Sequence, residues 1–83
     1  MKEFLYFSAT WCGPCLQLSP IMSELQREGY NIRKIDIDQD PNTASQYNVR
    51  NIPMVILLNN GHEVARQVGN SPKNRYIKLW QAN

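Results

Sequence analysis

The two cysteines are the residues of this sequence whose type and spacing most clearly indicate chemistry. Cys12 and Cys15 are the only cysteines of the chain, and they stand in the run Trp11-Cys12-Gly13-Pro14-Cys15. Two thiols at this spacing can exchange with a disulfide, bind a metal ion, or belong to the core without reacting. A stabilising disulfide is a poor explanation, because closing so short a loop removes little entropy from the unfolded chain. The pair therefore predicts redox chemistry first, with a metal site and inert thiols as alternatives.

The metal alternative lacks ligands within one chain. A structural zinc ion usually takes four ligands, whereas the sequence offers two cysteines and one histidine, His62, far away along the chain. We expect His62 in a solvated turn, and Asp36 and Asp38 on a solvated strand edge. A metal site would therefore need a metal ion or iron–sulfur cluster shared between two chains. The purified protein would then contain bound metal or absorb visible light. We expect no metal and no bound cofactor.

The cysteine run lies where a predicted strand ends and a predicted helix begins. Phe4-Leu5-Tyr6-Phe7 is a short aromatic and apolar run, which is typical of a buried strand. After the cysteines, apolar side chains follow the spacing of one helix face: Leu18, Ile21, Met22 and Leu25. Gly29 supplies a stop, and Pro20 inside the helix is expected to kink it.

Cys12 falls at the N-terminus of this helix, a position that favours a thiolate. Unpaired N–H groups and the positive end of the helix dipole lie there, and cysteines in such settings have pKa values lowered from ~8.5 to roughly 3.5–7.5. Gly13 permits the tight entry, and Pro14 suits a first turn where its missing N–H would be unpaired anyway. We predict that Cys12 attacks a substrate disulfide, and that Cys15, initially protonated, then attacks Cys12 and releases the reduced substrate.

The remaining elements follow from hydrophobic spacing and turn residues. We predict a second strand over 31–38, a short helix from Asp40-Pro41 toward Tyr47, a buried central strand over 54–58, a turn at Asn60-Gly61, an edge strand over 62–68, and a last helix capped by Ser71-Pro72. The order β-α-β-α-β-β-α predicts an α/β fold with a mixed sheet and helices on both faces.

Composition and charge exclude several classes of protein. The chain has 83 residues, which suits a single domain over 1–83, and its net charge of +2 is spread without a dense basic run. We therefore expect no nucleic-acid partner. No apolar stretch approaches the ~20 residues that span a bilayer, and the apolar run from Phe4 to Phe7 is too short for a signal-peptide core. We expect a cytoplasmic monomer without a membrane partner.

Several segments resemble the thioredoxin family, and the likeness extends over nearly the whole chain. These segments are residues 7–15 (FSATWCGPC), 34–41 (KIDIDQDP), 47–54 (YNVRNIPM) and 68–69 (VG). The resemblance implies a thioredoxin-like fold in a minimal form, with a four-stranded mixed sheet and about three helices. It also implies a protein dithiol–disulfide oxidoreductase that reduces disulfide-containing proteins and takes electrons from a thioredoxin reductase or from glutathione.

The resemblance also implies where a substrate binds. Ile52-Pro53 should be a cis peptide that faces the cysteines, although cis is found at only about 5–6% of X–Pro bonds. In the family, backbone beside this proline pairs with an extended substrate segment, and the late glycine leaves room for it. The implied substrate-binding residues are Trp11, Gly13, Pro14, Ile52, Pro53 and Gly69.

Two features depart from the family pattern. Longer thioredoxins begin with an extra strand and helix, whereas here the strand before the cysteines starts near residue 3. Thioredoxins also carry a buried aspartate six residues before the first cysteine, which accepts the proton of the second; here this position is Tyr6. Tyr6 is a candidate for proton transfer by its position, although a tyrosine, with a reference pKa of about 10, is a poor base. Lys34 matches the lysine beside that aspartate and is a candidate for proton transfer if burial lowers its pKa; the alternative is an ammonium in water.

Two other functions fit the same features. The short architecture also suits a glutaredoxin-like reductase that takes electrons from glutathione. Some thioredoxin-like proteins are accessory subunits that contribute a binding surface, and the apolar residues Trp11 and Pro53 would serve that role as well.

Overall fold

Strands and helices alternate along the chain in the predicted order. In this computed structural model, which describes all residues from 1 to 83, the elements are β1 (Lys2–Ser8), α1 (Gly13–Arg27), β2 (Ile32–Asp36), α2 (Pro41–Gln46), β3 (Met54–Asn59), β4 (His62–Val68) and α3 (Lys73–Ala82). The order β-α-β-α-β-β-α is confirmed. β1 begins one residue before the predicted start and leads directly into the cysteine run.

The four strands form one mixed sheet in the order β2-β1-β3-β4. β1 pairs in parallel with β2 and antiparallel with β3, and β3 pairs antiparallel with β4. Every residue from Met54 to Leu58 is buried, as the continuous apolar run of β3 predicts. The mixed sheet and the edge position of β4 are therefore confirmed.

Two apolar layers cover the two faces of the sheet. The layer on the side of α1 and α3 consists of Phe4, Tyr6, Leu18, Met22, Leu25, Val55, Leu57 and Tyr76. The layer on the side of α2 consists of Leu5, Phe7, Ile35, Ala44, Met54, Ile56 and Leu58. Successive residues of a strand point to opposite faces, so β1 and β3 contribute to both layers. Burial of each large apolar side chain contributes about 1.5–3 kcal/mol, and this holds the helices against the sheet.

Helix α1 begins at the cysteine run for local reasons. Cys12 is its N-cap residue, with extended backbone, and Pro14 lies in its first turn. The helix continues through Pro20 to Arg27, although a proline there removes one intrahelical hydrogen bond. Gly29, with φ of 101°, follows the end of the helix, a left-handed conformation that glycine adopts at low cost.

The second strand is shorter than the sequence predicts. β2 ends at Asp36, whereas alternation of apolar and charged residues predicts a strand as far as Asp38. The Asp36 carboxylate accepts hydrogen bonds from the backbone N–H groups of Asp38 (2.8 Å) and Gln39 (3.4 Å). Such side-chain-to-backbone bonds compete with strand pairing and favour a turn, so the chain turns two residues early.

The predicted cap of the last helix is also corrected. The N-cap position of α3 is Pro72, and no side chain provides a capping hydrogen bond. Ser71 lies one residue too early for that position. The first turn of α3 is instead tied to α1 by Lys73, whose Nζ binds Glu24 (2.7 Å) and also Glu28. None of the three helices is long and apolar enough to cross a membrane.

Candidate active site

The two cysteines lie at the N-terminus of α1, where they form a disulfide with a Cα–Cα distance of 5.2 Å. Cys12 caps the helix, and its Sγ accepts a hydrogen bond from the backbone N–H of Cys15 at 3.2 Å. Cys15 lies inside the first turn and is 1% exposed. An N–H donor and the positive end of a helix dipole stabilise negative charge on a sulfur at the capping position. The structure therefore favours Cys12 as the thiolate after reduction.

The loop before β3 faces the cysteines. The Ile52–Pro53 peptide bond is cis, which confirms the expectation drawn from the family. The side chain of Ile52 packs against the small cluster of Ala9, Cys12 and Cys15. The fold thus brings residues 52 and 53 to the disulfide from about forty positions away along the chain.

Gly69 lies beside the cis-proline. Its backbone N–H donates to the carbonyl oxygen of Pro53 at 2.8 Å, and its φ is 77°. A Cβ built on Gly69 has no heavy atom within 4 Å. The space next to Gly69 is therefore open.

Trp11 is the most exposed aromatic residue next to the cysteines, with 67% of its surface accessible. Its Nε1–H donates to Oδ2 of Asp38 at 2.8 Å. The sequence pattern predicts Asp38 on a solvated strand edge and gives no sign of this contact. The two residues are 27 positions apart, and they meet because the parallel strands β1 and β2 end at the same edge of the sheet.

Tyr6 replaces the usual buried aspartate and is 1% exposed. Its hydroxyl group lies 2.8 Å from the carbonyl oxygen of Cys15 and 3.0 Å from Oγ of Ser19. A carbonyl can only accept, so the single proton of the phenol is donated to Cys15 and the phenol oxygen accepts from Ser19. Tyr6 therefore positions the first turns of α1. Ser19 is not predicted as a site residue, because a serine inside a helix gives no signal of its partner.

The structure does not show the burial on which the proton-transfer hypothesis for Lys34 depends. A neutral amine requires burial, but Lys34 is exposed. It lies on the edge strand β2, which leaves one side of its side chain open to solvent. Its Nζ lies 5.9 Å from the centre of the Tyr6 ring, at a distance typical of a cation–π contact.

Known proteins match this chain over nearly its whole length. The family model for thioredoxin matches residues 2–82. A thioredoxin of Chlamydia trachomatis is 47% identical over 75 residues, which cover 88% of this chain and 74% of that protein. A thioredoxin of Staphylococcus aureus is 44% identical over 80 residues, covering 93% of this chain and 77% of that protein.

A solved structure is similar as well. A single-site mutant of a thioredoxin from Halobacterium salinarum matches with a TM-score of 0.91 and 32% sequence identity, over 98% of this chain and 73% of that chain. This structural match confirms the thioredoxin-like fold expected from the sequence. Since the family match, the sequence relatives and the cysteine geometry all agree, this protein belongs to the thioredoxin family of dithiol–disulfide oxidoreductases.

Proposed function

We propose that this protein reduces disulfide bonds in other proteins. The observation that carries the proposal is the setting of Cys12, whose Sγ accepts the N–H of Cys15 at the N-cap of α1. A thiolate stabilised in this way is a good nucleophile and a good leaving group. Such a dithiol passes two electrons to a substrate disulfide and becomes the internal Cys12–Cys15 disulfide.

The reaction has two exchange steps. In the first, Cys12 attacks one sulfur of the substrate disulfide, and the other substrate sulfur leaves as a thiolate. In the second, Cys15 loses its proton and attacks Cys12, so the internal disulfide forms and the second substrate sulfur leaves. The greater exposure of Cys12, 5% against 1% for Cys15, supports this order, because a substrate reaches the capping sulfur first.

We propose that the substrate binds across Trp11, Gly13, Pro14, Ile52, Pro53 and Gly69. Trp11, Gly13 and Pro14 are exposed around the disulfide. Neither the N–H nor the carbonyl of Ile52 makes a backbone hydrogen bond within the chain. Free backbone groups of this kind can pair with an extended peptide, which gives affinity without requiring one sequence. The open space at Gly69 accommodates that peptide.

We propose a thioredoxin reductase as the electron donor, with the protein acting as a monomer in the cytoplasm. A reducing compartment keeps thiols reduced, and the Gly-Pro pair between the cysteines matches the reducing members of the family. Glutathione is the second candidate donor, because the four strands and three helices of this fold correspond to the smaller core that glutaredoxins share.

Parallel insulin-reduction assays with thioredoxin reductase and with glutathione separate these donors. We expect precipitation of reduced insulin with the reductase and slow turnover with glutathione alone. The control is the Cys12→Ser, Cys15→Ser variant, which should be inactive with both. Faster turnover with glutathione would favour the glutaredoxin-like function. If the double variant kept its full biological activity, the protein would instead act as an accessory subunit that contributes a binding surface.

A further inference from the structure

A cavity of about 160 Å³ lies next to Cys15, between the first turns of α1 and the ends of β1 and β2. Cys15 and Ser19 line it from the helix, and Lys34 and Asp36 line it from β2. In the parallel register, Lys34 is opposite Tyr6 and Asp36 is opposite Ser8. Much of its surface is apolar, but polar side chains line it as well, and a cavity of this size with polar partners accommodates water. The cavity therefore connects the second cysteine with two charged side chains.

Cys15 needs a proton acceptor for the second exchange step, since a thiol is a poor nucleophile. Tyr6 does not fill this role, because its phenol oxygen already accepts from Ser19 and its proton is donated to the Cys15 carbonyl. Lys34 does not fill it either, because it is exposed and lacks the burial that a proton-accepting amine requires. The remaining group with basic lone pairs at the cavity is the carboxylate of Asp36.

Asp36 is held in a fixed orientation by the turn after β2. Its Oδ1 accepts the backbone N–H groups of Asp38 and Gln39, whereas its Oδ2 makes no hydrogen bond within the chain. Asp36 is half-buried, and it lines the cavity together with Ser8 and the first turns of α1. One oxygen thus anchors the side chain and the other is free to accept a proton.

We propose that Asp36 accepts the proton of Cys15 through water in this cavity during the second exchange step. The proposal rests on the proposed reduction of disulfides. The Cys15 thiol passes its proton by way of water to Oδ2, the Cys15 sulfur bonds to Cys12 Sγ, and the bond from Cys12 to the substrate sulfur breaks. The substrate leaves as a thiolate, and Asp36 releases its proton to solvent. A carboxylate that carries the proton only in transit does not have to retain it.

The charged groups around this site are few. Lys34 is on the same strand, Cys15 is the ionisable group that α1 contributes, and β1 contributes no charged side chain to the cavity. Asp38 is in the adjacent turn, and its Oδ2 accepts the Nε1–H of Trp11. The ionisable side chains at the cavity are therefore Cys15, Asp36 and Lys34, and the Tyr6 phenol lies next to Cys15.

The test is the Asp36→Asn variant with 5,5′-dithiobis(2-nitrobenzoate) as substrate. This disulfide releases one coloured thiolate when Cys12 attacks and a second when Cys15 resolves the mixed disulfide, so stopped-flow absorbance separates the steps. Asparagine keeps a side-chain oxygen for the two N–H groups and thus preserves the turn. We expect the first phase to be unchanged and the second phase to slow about tenfold at neutral pH, with the difference closing at alkaline pH, where hydroxide takes the proton of the thiol directly.

Two controls sharpen this test. Asp36→Glu keeps a carboxylate and should retain most of the second-phase rate. Glu3→Gln removes one negative charge from an exposed ion pair with Arg33 (3.6 Å) and should leave both phases unchanged. A purely electrostatic role of Asp36 predicts the opposite sign, because loss of a nearby negative charge lowers the pKa of a thiol and speeds its attack.

Three results would overturn the assignment of Asp36: an unchanged second phase, a faster one, or a loss that is equal at every pH. Absence of the first phase in the unmodified protein would instead refute the proposed function, so the two failures are distinguishable.

Discussion

The two sulfurs of one disulfide have very different neighbours in this protein. On the side of Cys12 lies an outer rim, which we define as Trp11, Ile52, Pro53 and Gly69. The rim offers an exposed indole, unpaired backbone groups at Ile52 and an open space at Gly69. On the side of Cys15 lies an inner set of polar groups formed by Tyr6, Ser19 and Asp36, next to the cavity.

This difference shows how one chemical group serves two steps. The attacking sulfur needs stabilisation of its anion and access for a substrate, and both are found on the side of Cys12. The resolving sulfur needs protection from other disulfides and a route for its proton, and both are found on the side of Cys15. We therefore expect rim substitutions to affect substrate selection, and inner substitutions to affect the second step and the stability of the fold.

Serine at either cysteine gives the largest expected effect. Cys12→Ser removes the attacking sulfur, so neither thiolate of 5,5′-dithiobis(2-nitrobenzoate) should be released. Cys15→Ser keeps the attack but not its resolution, so we expect one thiolate and a trapped mixed disulfide, which mass spectrometry detects. If both variants released the same number of thiolates, the two cysteines would not have the different roles assigned to them.

Trp11→Ala tests the rim. We expect kcat/KM with a protein disulfide to fall about tenfold, since exposed tryptophans often contribute strongly to binding, while the reaction with a small aromatic disulfide changes little. The free energy of unfolding should change by less than about 1 kcal/mol, because the side chain is 67% exposed. Val64→Ala is the matched control on the edge strand, where an exposed valine lies away from the cysteines. Equal loss with both substrates would contradict a role in selecting proteins.

Tyr6→Phe tests the inner side. The variant removes the hydroxyl that bridges Cys15 and Ser19, and leaving such partners unsatisfied costs about 1–3 kcal/mol. Urea unfolding followed by circular dichroism measures this loss. We expect the first phase of thiolate release to keep its rate, because Cys12 does not contact the phenol. A stability equal to that of the unmodified protein would show that this hydrogen-bond pair contributes nothing.

Tyr76→Phe is the matched substitution for a second buried phenol on the same face of the sheet. Tyr76 is fully buried, and its hydroxyl has no hydrogen-bond partner of good geometry. Burial of an unpaired hydroxyl is unfavourable, so its removal should raise the free energy of unfolding by about 1 kcal/mol. The same urea titration decides the sign. If Tyr76→Phe lowered the free energy of unfolding as much as Tyr6→Phe does, the two hydroxyl groups would contribute equally to stability.

The pH dependence of stability gives the smallest effect. Burial raises the pKa of the Tyr76 phenol above its ordinary value of 10.0, and the weaker opposing influence of nearby Ser71 does not cancel this. The folded state therefore favours the neutral phenol, and the resulting stability is present below pH 10 and is lost as the pH rises through the folded-state pKa. Tyr76→Phe should lose less stability than the unmodified protein between neutral and alkaline pH, as melting temperatures at several pH values would show. Parallel decline of the two proteins would contradict this cause.

Local patterns were sufficient to predict most of the framework. The apolar run of β3, the helical spacing after Cys15 and the turn at Asn60-Gly61 indicate elements that the structure confirms. The ends of elements were less predictable, since a single side-chain contact decides them. β2 stops at Asp36 because this carboxylate accepts backbone N–H groups that a longer strand would have paired.

The candidate site divides in the same way. The sequence by itself determined that two thiols lie at the start of a helix, because the cysteine run, Pro14 and the following apolar spacing are all local features. Only the tertiary structure decided that Trp11 binds Asp38, that Tyr6 donates to Cys15, and that Asp36 lines the cavity beside it. These contacts join residues from different strands and helices, and their formation depends on sheet order and register, which no short stretch of sequence encodes.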